Sequence, residues 1–177
     1  MTQKSLLAKT EEFFFLGARA GWAGGNPGSS IERMAGLPGI GKWREAVYQG
    51  SLDFDGYHFA DRWGEDPESG NPSGSMFITH WNIPVWGMWI GGNSYNKDVF
   101  TFLQKALLAN YQQGEFCGGR GPSVYQEGNL RYVNVWEGDF THFEGSERIE
   151  YINGNGEAQL AGSHEYWGGS FVFIPRA

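Results

Sequence analysis

Cysteine is nearly missing from these 177 residues: Cys117 is the only one. No intrachain disulfide and no cysteine-based zinc site can form. A lone thiol between Phe116 and Gly118 reads as a small packed residue before it reads as a nucleophile. Positive charge is scarce as well. Lys and Arg total 13 against 20 Asp and Glu, giving a formal net charge of −7, and no basic cluster offsets it. Such a surface repels a phosphate backbone, so direct nucleic-acid binding is not expected. Long apolar runs are absent too, and nothing approaches the roughly 20 residues of a membrane span. The N-terminus places Lys4 before Leu6-Leu7 and Phe13-Phe14-Phe15-Leu16. Lys9, Glu11 and Glu12 break the apolar stretch that an export signal needs. A cytoplasmic location is the expectation.

What the chain has instead is glycine and aromatic surface: 28 glycines and 16% Phe, Trp and Tyr, with eight tryptophans. Frequent turns account for the first and aromatic-lined sheets for the second. Residues 3–16 read as an amphipathic helix with Leu6, Leu7, Thr10, Phe13 and Phe14 on one face, ended by Gly17. A second helix is expected over 97–113, capped by Asn96 and stopped by Gly114. Val99, Phe100, Leu103, Ala106, Leu107 and Tyr111 recur there at helical spacing. Strands are expected within 44–63, 75–81, 84–90 and 130–136, with an exposed acidic loop over 64–74. A hairpin through Asn153-Gly154-Asn155-Gly156 joins 147–152 to 157–160. Consecutive strands without crossover helices pair antiparallel. The expected fold is α+β: a single domain over 1–177, mainly an antiparallel twisted β-sheet with about two α-helices packed on it.

Few motifs point to chemistry. Gly36-Leu37-Pro38-Gly39-Ile40-Gly41-Lys42 matches the start of a phosphate-binding loop. Trp43 stands where the magnesium-ligating Ser or Thr belongs, and no apolar strand precedes it, so a glycine-rich turn is the better reading. His142 and Glu144 share a strand face, and His58, His80 and His164-Glu165 are available, yet no His-x-His or His-x-x-x-His spacing occurs. No metal site and no cofactor are expected. Asp61, within Phe59-Ala60-Asp61-Arg62-Trp63, is a carboxylate among aromatics and a weak catalytic candidate together with His142; pairing with a nearby arginine is its commoner role. Arg120 can meet an anionic ligand or clamp Glu147. The aromatic series offers either pocket walls or plain core. The expected ligand-binding set is Trp86, Trp89, Arg120, Tyr132, Trp136, His142 and Glu147, with Trp86 and Trp89 on opposite strand faces.

Several segments, in order, carry a family likeness. They are Phe15-Leu16 through Ala23-Gly24-Gly25, Phe59-x-Asp61-x-Trp63, Ile83-Pro84-Val85-Trp86-Gly87-Met88 and Phe102-Leu103-Gln104-Lys105-Ala106-Leu107. Arg120-Gly121-Pro122, Tyr132-x-Asn134, Glu137-Gly138-Asp139, Phe143 through Ile149 and Trp167-Gly168-Gly169 follow. Together they resemble a bacterial family of domains of unknown function, found alone or behind an XRE-type helix-turn-helix in regulator-like proteins. The resemblance implies a sensor that binds a small molecule and signals to a DNA-binding partner. It implies no catalytic residues. The chain departs from the family pattern after Met88, where Trp89-Ile90 replaces Asn-Tyr, and in the expanded 64–74 loop. The expected function is therefore a small-molecule-binding, sensor-like domain, with a small isomerase or hydrolase and a protein-interaction module as alternatives. A second copy of the chain or a regulatory protein is the expected macromolecular partner.

Overall fold

In the computed structural model, residues 3–30, 43–65, 72–93, 95 and 99–172 are described. The expected Gly36–Lys42 turn, the expected cap Asn96 and most of the stretch expected as an acidic loop lie outside them. Among the described residues, nine strands form one antiparallel sheet of order β1-β2-β3-β4-β5-β9-β8-β7-β6, accompanied by two α-helices. The first meander is β1 (Ser29–Ser30), β2 (Trp43–Gln49), β3 (Tyr57–Glu65), β4 (Pro72–His80) and β5 (Ile83–Asn93). The second is β6 (Val124–Glu127), β7 (Leu130–Asp139), β8 (His142–Ile152) and β9 (Ala158–Ser170). Between them α2 (Phe100–Gln113) carries the chain to the far edge, so the second meander returns inward until β9 pairs with β5 from Trp86↔Ser170 to Asn93↔Ser163. The α+β expectation matches this arrangement. No helix among the described residues is long and apolar enough to cross a membrane.

Both helices cover one face of the sheet, and the alternation of the strands supplies what they cover. Tyr57, Phe59 and Asp61 of β3, Met76 and Ile78 of β4, and Trp86 and Met88 of β5 are buried on that inner face. Tyr132 and Asn134 of β7, Phe143, Glu147 and Ile149 of β8, and His164 and Tyr166 of β9 continue it. The opposite, outer face carries Phe77, Trp89, Trp167 and His142. The register Phe77↔Gly87↔Gly169↔His142 runs across four strands there.

α1 (Gln3–Ala20) runs past the expected stop at Gly17. Gly17 serves close approach instead of termination: a Cβ there would lie 2.3 Å from the Phe59 ring of β3. The helix presents Phe13, Phe14 and Ala18, all buried, to the sheet. α2 buries Phe102, Leu103, Ala106, Leu107, Asn110 and Tyr111, and Gly114 ends it in the left-handed region at φ 74° with its N–H on the Asn110 carbonyl. The turn between β4 and β5 uses Trp81 and Asn82, both at positive φ (52° and 64°), which suits a two-residue hairpin. The stretch holding Asp53 and Asp55 is not strand. Leu52–Phe54 forms a short 3-10 turn that separates β2 from β3.

Trp86 anchors this core. It is fully buried, stacks on Phe140 (5.1 Å) and Phe143 (5.7 Å), and donates its indole N–H to the Phe140 carbonyl at 3.0 Å. Replacing it with alanine removes a large side chain that the surroundings cannot refill. Trp86→Ala is expected to cost about 3–5 kcal/mol, measured by urea unfolding; a loss below about 1 kcal/mol would contradict its place as a core anchor.

Candidate functional site

The site begins with a loop whose backbone is held by side chains of the helix and the sheet. Residues 115–121 link α2 to β6, and their carbonyls are tied down by side chains from elsewhere. Asn110 donates to the carbonyls of Glu115 (3.0 Å) and Arg120 (2.7 Å), and Tyr111 donates to that of Gly119 (3.0 Å). Asn134 of β7 donates to those of Cys117 (3.0 Å) and Gly121 (2.8 Å), and its own oxygen accepts from Tyr166 at 2.6 Å. Gly118 and Gly119 take φ of 63° and 70°, and a Cβ on Gly121 would meet the Tyr132 ring at 2.6 Å. Glycine is what lets this loop lie flat on the sheet. Burial pushes the Cys117 thiol up, which disfavours a reactive thiolate.

The loop's purpose, in geometric terms, is Arg120. Its guanidinium is buried and grips the fully buried Glu147 of β8, Nε donating to Oε2 at 3.1 Å and Nη2 to Oε1. Tyr132 donates its hydroxyl to Glu147 Oε2 at 2.7 Å, and His164 Nδ1 lies 2.9 Å from Oε1. Burial alone would raise the Glu147 carboxyl, but Arg120 and His164 outweigh it and hold it at about 2. An ionised Glu147 accepts only, so His164 presents Nδ1–H to it and turns Nε2 the other way. That Nε2 is buried and has no hydrogen-bond partner among the described residues. The edge of Tyr95 packs on the His164 ring, centroids 4.4 Å apart.

In front of this cluster lies a cavity of about 280 Å3, near the small end of the roughly 300–1,000 Å3 typical of ligand sites. Its polar lining includes Asp61, Arg120 and His164. Its apolar walls include Trp22, Trp63, Met76, Phe100, Leu103 and Leu107. Trp22 belongs to a 3-10 turn, Trp22–Gly24, held between Gln104 of α2, which donates to the Trp22 carbonyl (2.8 Å), and Asp61, whose Oδ2 accepts the Trp22 N–H (2.8 Å). Trp22 and Phe100 meet edge to face at 6.3 Å. Asp61 is buried and forms no ion pair among the described residues. Its neighbour Arg62 points to the outer face and pairs with Glu45 at 2.6 Å. Desolvation raises the Asp61 carboxyl to about 6, although the Trp22 N–H and the more distant Arg120 charge pull it down.

Of the residues marked in the sequence, the fold brings Asp61, Arg120, Tyr132 and Glu147 together. Trp86 is in the core between α1 and the sheet. Trp89 lies on the outer face, stacked on Trp167 at 6.2 Å and edge-on to Phe77, because the β5 alternation sends it away from Met88. His142 is exposed on that outer face as well. Trp136 is half-buried on the inner face, near Gly118. The sequence reading did not bring His164, Trp22 and Trp63 into one site. Trp63 carried a signal, since it lies two residues from Asp61 on one strand; Trp22 carried none. Among the described residues no group of three or more His, Cys, Asp or Glu side chains is placed to hold a metal ion.

An antiparallel α+β protein with a helix-roofed cavity holding a carboxyl, an imidazole and a clamped guanidinium is thus the class that fold and site define. The chain belongs to the DUF5680 family, a domain of unknown function, whose model matches residues 70–171. That segment contains Arg120, Tyr132, Asn134, Glu147 and His164; Asp61 and Trp22 come from the part before it. No curated protein and no solved structure matches the chain.

The two buried carboxyls respond to pH with opposite sign. Asp61 is raised from 3.8 to about 6, so the folded state binds its proton more tightly than the unfolded chain does. Its favourable contribution is full below its unfolded value and is lost as pH rises through 6, a difference corresponding to roughly 3 kcal/mol. Asp61→Asn keeps an acceptor for Trp22 and is expected to be more stable than the parent at pH 7, with a flatter profile between pH 4 and 7 in chemical unfolding. Equal slopes in the two proteins would refute the desolvated carboxyl. Glu147, depressed from 4.5 to about 2, stabilises above its unfolded value and loses that as pH falls through the folded one. Glu147→Gln strands the buried Arg120 and is expected to cost about 3–5 kcal/mol at pH 7; a near-neutral variant would show that the cluster does not hold the loop.

Proposed function

We propose that this chain is a small-molecule-binding domain of a sensor-like kind, with the cavity between α2 and the β3–β5 side of the sheet as its binding site and a regulatory protein as the reader of the bound state. The observation that carries the reading is the convergence of Asp61, Arg120 and His164 on one aromatic-walled cavity of about 280 Å3. These groups arrive from β3, from the 115–121 loop and from β9. A buried carboxylate with no ion pair and a buried imidazole nitrogen with no hydrogen bond among the described residues both cost stability, and core packing requires neither. A ligand that meets both offsets that cost. Ligand sites commonly have this composition: apolar faces for contact and a few convergent polar groups for orientation.

An acid–base enzyme is the second reading, favoured by one specific pair of features. Asp61 titrates near the pH range where general acids and bases work, and Glu147 fixes the orientation of the His164 ring. Turnover separates the two readings, since a binder retains its ligand unchanged.

Native mass spectrometry of the purified protein is expected to show extra mass that disappears on denaturation. Ala23→Leu, which pushes a larger side chain into the cavity wall, is expected to lose that mass while melting cooperatively. A bare mass for the parent, with no melting-temperature rise across a mixed metabolite panel, would contradict the binding function. Retention of the same mass by Ala23→Leu would move the ligand out of this cavity.

A further inference from the structure

The charges around the cavity indicate what kind of molecule fits it, given the binding site proposed above. Among the described residues, Asp61, Arg62 and Arg120 line the cavity, and Glu147 stands behind Arg120. Arg120 and Glu147 cancel. The Arg120 guanidinium directs both Nε and Nη2 at Glu147, and the carboxylate takes Tyr132 and His164 besides. An incoming anion would find a guanidinium already neutralised and would face the Asp61 carboxylate in the same small space.

Asp61 is the group left over. Its one hydrogen bond among the described residues is the Trp22 backbone N–H, and no cation among them comes within ion-pair distance. The neighbouring arginine in sequence, Arg62, is committed to Glu45 on the other face of the sheet. Among the described residues, one negative charge without an ion pair therefore sits in a box walled by Trp22, Trp63 and Phe100. Aromatic faces attract cations through their ring quadrupoles, and the attraction strengthens where water is excluded.

We propose that the ligand of this cavity is a small protonated amine with an apolar body, its nitrogen against the Asp61 carboxylate and its hydrocarbon between Trp22, Trp63 and Phe100. The cation restores neutrality, and the N–H donors it brings are what the carboxylate lacks. His164 Nε2 then accepts from the same ammonium or from a polar substituent beside it.

Three probes that share a ring and chain length but differ in charge test this: 2-phenylethylamine, 2-phenylethanol and phenylacetate, each added to the 177-residue chain in a thermal-shift assay. The amine is expected to raise the melting temperature by about 5 °C or more at a hundredfold excess over its Kd; the alcohol and the acid are expected to leave it unchanged. Asp61→Asn, which keeps the acceptor for Trp22 and stays folded, is expected to bind the amine at least tenfold more weakly. A rise with phenylacetate or 2-phenylethanol equal to that with the amine would overturn the charge assignment. So would an undiminished amine response in Asp61→Asn, or no response to the amine at all. Stabilisation by the acid or alcohol that Ala23→Leu abolishes would overturn the amine while leaving the binding cavity standing. Silence from all three, together with a bare native mass, would remove both.

Discussion

Everything at this site depends on one buried carboxylate. Glu147 sits on β8 beneath the helices and receives two N–H groups of Arg120, the hydroxyl of Tyr132 and the imidazole of His164. A carboxylate has about four acceptor positions, and here four donors fill them. The arrangement ties β7, β8, β9 and the 115–121 loop to one point. It holds Arg120 charged although burial works against that charge, and it decides which nitrogen of His164 looks outward. A buried ion pair is weak evidence of stability taken alone, because desolvation consumes much of the attraction. Its clearer consequence is orientation: with Glu147 in place, the loop and the imidazole each have one position.

The topology explains why chemistry collects on this side of the sheet. Two meanders meet where β5 pairs with β9, and α2 has to cross the inner face to connect them. The crossing leaves a gap where α2 passes over β3, β4 and β5, bounded by the Trp22–Gly24 turn on one side and by Arg120 and His164 on the other. The family segment, residues 70–171, supplies the clamp. The preceding part of the chain supplies Asp61 and the indole of Trp22. The outer face offers a different surface, with Phe77, Trp89, Trp167 and Phe171 exposed or half-buried, but its polar neighbours are paired with one another or solvated.

Much of the fold was legible in the sequence because it follows from alternation. Leu130, Tyr132, Asn134 and Trp136 were readable as one face of a strand, and the 100–113 helix as an amphipathic one. The exceptions have physical causes. Gly17 reads as a helix stop in isolation, yet it is needed inside α1 where the helix touches Phe59. Residues 44–63 read as strand, yet the 3-10 turn at Leu52–Phe54 divides them. The site was legible only in pieces. Alternation could say that Trp86 and Trp89 part company, but not which of the two faces the helices. The sequence offers Arg120 either an anionic ligand or Glu147, and the fold sets it on Glu147, whereas the role of His164 depends on β9 lying beside β8, a pairing that no local pattern encodes. Asp61 has no ion pair among the described residues, since its adjacent arginine belongs, by the same alternation, to the opposite face.

The proposed binding site lies on the inner face, at the cavity holding Asp61 and His164. The eight tryptophans make it directly testable, since each gives one indole N–H signal in a nitrogen-edited NMR spectrum. Titration with 2-phenylethylamine, after assignment by single substitutions, reads inner and outer faces in one experiment. The Trp22 and Trp63 signals are expected to move with saturation while those of Trp89 and Trp167 stay fixed. Movement of the Trp89 and Trp167 signals with Trp22 and Trp63 unmoved would place binding on the outer face and contradict the inner-face site.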